Sequence, residues 1–236
     1  NIQVGQKAGT NLTRTDNEKW GGVAILGNAP SSTENGDKIG NLEGIPADEG
    51  YGEYGGYDSL DNSGVCKYIS IRHAGTLLGD GNELNGLTLG GVGSGTVIDN
   101  IEVVGNLDDG IEFFGGTVNA SNLLVWAQGD DAFDIDQAYS GTISNFVNVE
   151  GLDSDHALEI DGPEGSYEAS FVMENGIFIS TDGVECHFRD GAEGSVSFEG
   201  TANVSADSGT TVTVTILQDV VMPDFSWTFT FAKGKL

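Results

Sequence analysis

Short segments in which apolar and polar residues alternate recur through the middle of the chain. In the first segment, DDGIEFF, Ile111 and Phe113 alternate with Glu112 and Phe114. The same alternation returns in DDAFDID, DHALEID and TDGVECHF. An alternation with a period of two is typical of a β-strand that has one buried face. The pattern therefore predicts a series of half-buried strands.

The acidic centres of these four segments follow one another at nearly constant steps of 22, 25 and 26 residues. They are Glu112, Asp134, Glu159 and Glu185. A period of this length indicates a stacked repeat. It is too short for a strand, a crossover helix and turns, and parallel strands cannot be joined by tight hairpins. We therefore predict an all-β, single-stranded parallel β-helix of about 22–26 residues per turn, with three short strands and three bends in each turn.

A second set of aligned residues supports this register. Asn100, Asn122 and Asn145 hold equivalent places in three successive copies, and Thr88 lies 24 residues before Glu112 in an earlier copy. Asparagine side chains tolerate tight bends, and stacked asparagines can hydrogen-bond to one another. We therefore expect an asparagine ladder that runs from turn to turn.

We interpret residues 1–236 as one β-helix domain with one long interruption. Residues 28–64 are rich in Gly, Asp, Glu, Asn and Tyr and show no strand pattern, which predicts a functional or ion-stabilised loop. Tyr51, Tyr54 and Tyr57 recur in this loop every three residues. We expect these tyrosines to cover the side of the coil, and sugar stacking is the alternative.

Two further segments complete the organisation of the chain. An insertion near residues 163–170 lengthens one of the acidic turns. Residues 200–236, which include TTVTVTIL and DFSWTFTF, predict closing strands that cap the open end of the core. No segment predicts a helix.

The charge of the chain excludes some classes of partner. The 236 residues carry 37 acidic and 9 basic side chains for a net charge of −28, and no Lys or Arg lies between Arg72 and Arg189. This balance argues against binding nucleic acid or an anionic membrane, and against an acidic polysaccharide unless cations bridge it. No stretch of about 18 apolar residues predicts membrane insertion. Cys66 and Cys186 fall about five turns apart, so we expect both to be unpaired, with Cys186 in the core.

Several longer phrases of the sequence, between about Trp20 and Gly141, resemble those of a known family. They are WGGVAILGNAP, LEGIPADEGYGEYGGYDSLDNSG, KYISIRHAG, GNELNGLTLGGVGSGTVIDNIEV, DDGIEFFGGTVNASNLLV and DDAFDIDQAYSG. The resemblance is to secreted β-helix surface proteins and lipoproteins common in Bacteroidota and marine bacteria. It implies a right-handed β-helix and an extracellular or outer-cell-surface location, and it implies no particular reaction. Members of that family usually have further turns before WGG, and this sequence departs from them there. The sequence begins at Asn1 with no initiator Met and no signal-peptide pattern, so we expect a mature or trimmed product.

The stacked acidic residues suggest a metal site. Equivalent residues on a β-helix lie about 4.8 Å apart, where two like charges repel by about 1 kcal/mol in water and several-fold more at a lower dielectric. Hard cations relieve such repulsion, and Ca²⁺ takes six to eight oxygen ligands in flexible geometry. We therefore expect calcium as the bound ion, and the alternative is a solvated acidic face. The candidate ligands are Asp108, Asp109, Glu112, Asp130, Asp131, Asp134, Asp136, Asp155, Glu159 and Asp161.

A catalytic interpretation uses some of the same residues. GDDAFDID followed by SDHALEIDG is similar in spacing to the site of polygalacturonase-type glycosidases, which would make Asp130 or Asp131 an acid or base with His156 nearby. The histidine lacks flanking glycines, however, and GVECHF stands where basic residues would hold an acidic sugar. A β-elimination lyase would also need an Arg or Lys base, which we do not expect on this face.

The remaining histidines and arginines give weaker signals. His73, His156 and His187 fall in different registers, so we do not expect them to form a three-histidine metal site. Arg72 and Arg189 are expected to be surface ion-pair partners.

The most consistent function is therefore a secreted or cell-surface structural and adhesive β-helix with a calcium-binding acidic ladder. Its expected partners are divalent cations, with glycans or further copies of the chain on its sides. A polysaccharide hydrolase or lyase is the alternative.

Overall fold

Almost all of the regular structure is β-strand. The computed structural model describes residues 12–217 except 35, 37, 79–81 and 83. A single turn of 3₁₀ helix covers Ala47–Glu49. Within the described part, no helix is long and apolar enough to cross a membrane. The strands are β1 (Val23–Leu26), β2 (Ile39–Asn41), β3 (Glu53–Gly55), β4 (Val65–Arg72), β5 (Leu87–Gly90), β6 (Val97–Val104), β7 (Ile111–Phe114), β8 (Ala120–Trp126), β9 (Phe133–Asp136), β10 (Thr142–Val149), β11 (Leu158–Ile160), β12 (Phe171–Ile179), β13 (Val184–Phe188), β14 (Glu193–Glu199), β15 (Ala202–Ala206) and β16 (Thr211–Ile216).

The strands form two seven-stranded parallel sheets that face each other across the core. The first, here called the acidic sheet, has the order β1-β5-β7-β9-β11-β13-β15, and the second, the asparagine sheet, has the order β4-β6-β8-β10-β12-β14-β16. The chain alternates between them from β4 onward, so each turn adds one strand to each sheet. This winding is a parallel β-helix, as the repeat predicted.

The core lies between the two sheets and is built from the apolar half of each alternation. Ile111, Phe113, Phe133 and Leu158 are fully buried on the acidic sheet. Aromatic rings from both sheets meet in this core; the rings of Phe133 and Phe146 are 5.4 Å apart, edge to face. Because stacked turns repeat the same side-chain direction, the alternating pattern becomes a continuous apolar column along the coil.

The predicted asparagine ladder is present in the asparagine sheet. Asn100, Asn122 and Asn145 have φ angles of 57°, 57° and 55°. The Nδ2 atom of Asn145 donates a hydrogen bond to Oδ1 of Asn122 over 3.2 Å. Asn175, which the repeat alignment missed because the insertion displaces it, adds a rung with φ 60° and a 3.5 Å bond to Asn145.

These asparagines explain why each turn has two strands instead of the predicted three. Each asparagine occupies the left-handed region, which bends the strand sharply at one residue. Pairing with the neighbouring turn resumes directly after the bend, as in Asp99 with Ser121 and then Ile101 with Leu123. The second and third short strands are therefore joined into one long bent strand.

The long loop of residues 28–64 lies over the acidic sheet and contains more structure than its sequence predicted. Strands β2 and β3 pair antiparallel within it. Tyr54 is 4% exposed and stacks on Phe114 with ring centroids 5.7 Å apart, whereas Tyr51 and Tyr57 are 63% and 81% exposed. Only Tyr54 thus covers the coil as expected.

Other expectations for the chain have mixed outcomes. Both cysteines are free, and Cys186 is buried in the core as predicted. The insertion near 163–170 does lengthen the connection between β11 and β12. Strands β15 and β16 add another turn to the two sheets. DFSWTFTF and the proposed capping by the last residues lie outside the described residues, as does the start of the chain.

The asparagine ladder predicts an unequal response to two substitutions. We expect Asn145→Ala to lower the free energy of unfolding by about 1–2 kcal/mol, because it removes the ladder hydrogen bonds and leaves a Cβ atom in the left-handed region. Asn145→Gly should cost less, because glycine adopts that conformation without strain. Urea denaturation of both variants measures the difference. Equal stability of the two variants would contradict a bend that depends on backbone conformation.

Candidate metal centre

Three of the four predicted acidic centres are stacked on successive turns of the acidic sheet. Glu112 pairs in register with Asp134, and Asp134 pairs with Glu159. The expectation for Glu185 is wrong, because Glu159 pairs with His187 and Leu158 with Cys186. A shift of two residues leaves the inward and outward alternation unchanged, so the sequence pattern cannot distinguish the two registers.

A second acidic column runs beside the first. Asp136 pairs with Phe114 in the register, and the backbone N–H of Asp161 donates to the carbonyl oxygen of Ile135 at 2.8 Å, which places Asp161 beside Asp136 on the next turn. The prediction that Asp136 and Asp161 form a parallel column is therefore confirmed.

The bends that precede these strands form a third column with a structural role. The carboxylate Oδ1 of Asp109 accepts the backbone N–H of Asp131 at 3.0 Å, one turn further on. Oδ1 of Asp131 accepts the backbone N–H of His156 at 2.9 Å in the same way. Each side chain of this column thus satisfies a buried backbone donor in the next turn, which explains why short acceptor side chains recur there.

These columns bring eight of the ten predicted metal ligands into compact groups. Within each group the ligand atoms lie within 4.8 Å of one another. Oxygens that bind one Ca²⁺ at about 2.3–2.6 Å are separated by no more than about 5 Å, so the spacing suits a single ion. Asp136 and Asp161 belong to none of these groups. The groups are Asp109–Glu112–Asp134, Asp108–Asp109–Asp130, Asp130–Asp131–Asp155 and Asp131–His156–Glu159.

The group of Asp109, Glu112 and Asp134 is the most strained electrostatically. Burial first, and repulsion from neighbouring carboxylates second, raise the pKa of all three side chains well above the usual range. Oδ1 of Asp134 is buried without a hydrogen-bond partner among the described residues. A bound cation would satisfy that oxygen and relieve the repulsion, so the residues fit the expected ion.

The other end of the acidic sheet has its own positive charge. The guanidinium group of Arg189 forms an ion pair with Glu159 and lies 3.9 Å from Asp161. Arg189 is thus an ion-pair partner, as predicted, but the expectation that this face has no Arg or Lys is wrong. The signal was available in the sequence, because Arg189 directly follows the strand VECHF and therefore lies near the stacked carboxylates.

The histidines are also closer together than their registers predicted. The rings of His156 and His187 are 5.9 Å apart. His73 lies elsewhere, with its Nδ1 atom 2.6 Å from the backbone oxygen of Asp16. Two histidines are therefore neighbours, and the third belongs to another part of the coil.

Two residues of the catalytic alternative, Asp131 and His156, are in contact. Nδ1 of His156 is 2.8 Å from Oδ1 of Asp131 and 3.3 Å from Oε2 of Glu159. Asp130 is exposed at the bend beside them. The arrangement can hold a proton between Asp131 and His156, or hold a metal ion.

The long loop lies beside Asp109 and Glu112, two members of the Asp109–Glu112–Asp134 group. Between the loop, the acidic sheet and the insertion near 163–170 lies a cavity of about 640 Å³. Tyr54 fastens the loop across this cavity, because its hydroxyl group donates to Oε1 of Gln137 at 3.0 Å. The backbone N–H of Glu34 donates to Oε2 of Glu164, which joins the loop to the insertion. Alignment of the repeats did not identify Tyr54 or Glu164, because neither belongs to a repeated segment.

The structure thus defines a parallel β-helix with one acidic face that a long loop partly covers. A family model described as a pectate-lyase-like β-helix domain matches residues 9–219. The chain belongs to this family. Comparison with curated proteins and with solved structures found no match.

The raised pKa values predict how stability depends on pH without bound cations. Burial, and then repulsion from Asp161, raise the pKa of Asp136 from 3.8 to about 8. The folded protein therefore holds a proton that the unfolded chain releases, so the free energy of unfolding falls as pH rises through this range. Thermal melting in chelator from about pH 5 to about pH 9 measures the slope.

Asp136→Asn is the control for this pH dependence. The variant should melt at a higher temperature than the parent above about pH 8 and show a weaker pH dependence, because it has no buried charge to form there. A melting temperature that stays constant or rises over the same range would refute the assignment.

Proposed function

We propose that this protein is an extracellular or cell-surface structural β-helix that binds Ca²⁺ on its acidic sheet. The observation that carries the proposal is the group formed by Asp109, Glu112 and Asp134. Three carboxylate groups from two adjacent turns converge within 4.8 Å, and two of them, Asp109 and Glu112, line the cavity beside the loop. The ordinary means of stabilising such an arrangement in a protein is a divalent cation with oxygen ligands.

The distribution of positive charge favours this group over the groups nearer Arg189. Arg189 already neutralises part of the charge of Glu159 and Asp161. No Lys, Arg or His lies among the described residues around the enclosed cavity. The negative charge without a basic partner is therefore concentrated on Asp109, Glu112 and Asp134. A cation is attracted most strongly at this position.

An ion at this position would also stabilise the loop. Glu43 lines the cavity together with Glu112, and its charge contributes to the raised pKa of Glu112. A cation between the sheet and the loop converts this repulsion into attraction. A calcium site of about 10⁻⁴–10⁻³ M affinity suits an extracellular location, where that concentration is available. The exposed sides of the coil are the surfaces for adhesion to glycans or to neighbouring copies.

The hydrolase or lyase alternative has less support from this geometry. Glu159 and Asp161 both stabilise the protonated form of Arg189, which an arginine base would have to lose. Asp131 directs one oxygen to both the backbone and the ring of His156, which is a structural use of the carboxylate.

Calcium is expected to raise the melting temperature of the chelator-treated protein. An ion at 100 times its dissociation constant adds about 2.7 kcal/mol, which corresponds to about 5–10 °C for a chain of this size. Scanning calorimetry with and without Ca²⁺ measures the shift, and titration calorimetry measures the stoichiometry. No shift and no binding heat would end the proposal.

Asp134→Asn should give two effects of opposite sign. The melting temperature in chelator should rise, because a buried repulsive charge is gone, and the response to Ca²⁺ should be lost with the ligand. Glu174→Gln is the matched control, since Glu174 is exposed on β12 in the asparagine sheet. This control should keep the full response. Equal calcium responses of the two variants would show that the ion binds elsewhere.

A further inference from the structure

The cavity between the long loop and the acidic sheet is much larger than a single ion requires. Its volume of about 640 Å³ falls within the range of about 300–1,000 Å³ that is usual for small-molecule sites. Its walls come from three separate parts of the chain: the long loop, the acidic sheet with its bends, and the insertion near 163–170. The volume alone therefore leaves room for a small organic ligand, and the polar walls restrict its chemistry.

The polar groups of the walls are nearly all acceptors. Eight carboxylate side chains line the cavity, and none of its described lining residues is basic. A carboxylate accepts hydrogen bonds, whereas a primary ammonium group offers three donors and no acceptor. The two sets of groups are complementary in charge and in hydrogen bonding. The carboxylates belong to Glu34, Glu43, Glu53, Asp108, Asp109, Glu112, Asp136 and Glu164.

A buried amide in the wall is a second, independent indication of a ligand. Asn85 is 6% exposed and lines the cavity. Its Nδ2 atom donates to Oε2 of Glu112, which orients the amide. Its Oδ1 atom has no hydrogen-bond partner among the residues that the structure describes. A buried acceptor without a partner destabilises the fold by about 1–3 kcal/mol, unless a donor from a ligand or water supplies the missing bond.

We propose that the cavity binds a small organic cation with two or more primary ammonium groups. Each ammonium group would lie between carboxylates of the sheet and of the loop, with a donor available to Asn85 Oδ1. A neutral sugar of the same size would leave the carboxylates without a counter-charge, and a single metal ion would leave most of the volume to solvent. The site shares Asp109 and Glu112 with the proposed calcium site but does not depend on calcium binding.

A linear polyamine and an amino sugar could both supply the ammonium groups, and titration distinguishes between them. We would titrate the full chain in chelator with spermidine, a linear polyamine, and with a trimer of glucosamine, an amino sugar. The N-acetylated trimer has the same shape without the charges and is the matched control. At least one of the two amines should bind about tenfold or more tightly than the acetylated trimer, with an affinity that falls as salt is added. The amine that binds identifies the source. If neither amine binds, the proposal is overturned.

A variant of the loop separates this site from the calcium site. Glu34→Gln with Glu53→Gln removes two wall charges outside the Asp109–Glu112–Asp134 group and away from Glu43. Circular dichroism checks that the variant is folded. The variant should weaken amine binding about tenfold and leave calcium affinity unchanged, whereas Glu174→Gln should change neither. Unchanged amine binding in the loop variant, or equal binding of the acetylated trimer, would show non-specific attraction to the acidic surface and refute the site. If the parent protein binds the amine but not Ca²⁺, only the proposed function is refuted.

Discussion

Parallel pairing of successive turns is the constraint on which the rest of this structure depends. It places equivalent residues one strand spacing apart, about 4.8 Å, along the whole coil. A residue type that recurs at one position of the repeat is therefore stacked on itself along the coil. Apolar residues gain from this arrangement, as the packing of Phe133 against Phe146 shows. Asparagines gain as well, because the amide of one bend donates to the amide of the next. Stacked carboxylates destabilise the coil, because like charges repel at this distance.

The two ends of the acidic sheet resolve this repulsion differently. Near β13, Arg189 supplies an internal positive charge to Glu159 and Asp161. Near β7, no basic side chain among the described residues approaches Glu112, and the long loop covers the carboxylates. Burial and mutual repulsion together raise their pKa values. The proposed cations, an inorganic ion or an amine, would supply the counter-charge that the described lining residues of the cavity lack.

Some of the acidic residues also have a structural role, which must be considered before a repeated acidic motif is interpreted as a functional site. Asp109 and Asp131 each accept a backbone N–H from the next turn. The paired Asp residues of GDDAF therefore have a role in the coil before any catalytic role is considered. Membership in the pectate-lyase-like β-helix family agrees with the fold and leaves the chemistry to be decided by the individual side chains.

The sequence by itself determined the coil, because a period-two alternation repeated every 22–26 residues admits few other arrangements. It also determined the stacking of Glu112, Asp134 and Glu159 and the asparagine bends, since both depend on spacing alone. It could not determine that His187, not Glu185, continues the stack, because a shift of two residues preserves the buried face. The tertiary structure alone decided that the loop lies over the acidic sheet, so that loop, sheet and insertion bring Asn85 and eight carboxylates around one cavity. That arrangement depends on contacts such as Tyr54 with Phe114 and Gln137, which join residues far apart in the chain and leave no periodic signal.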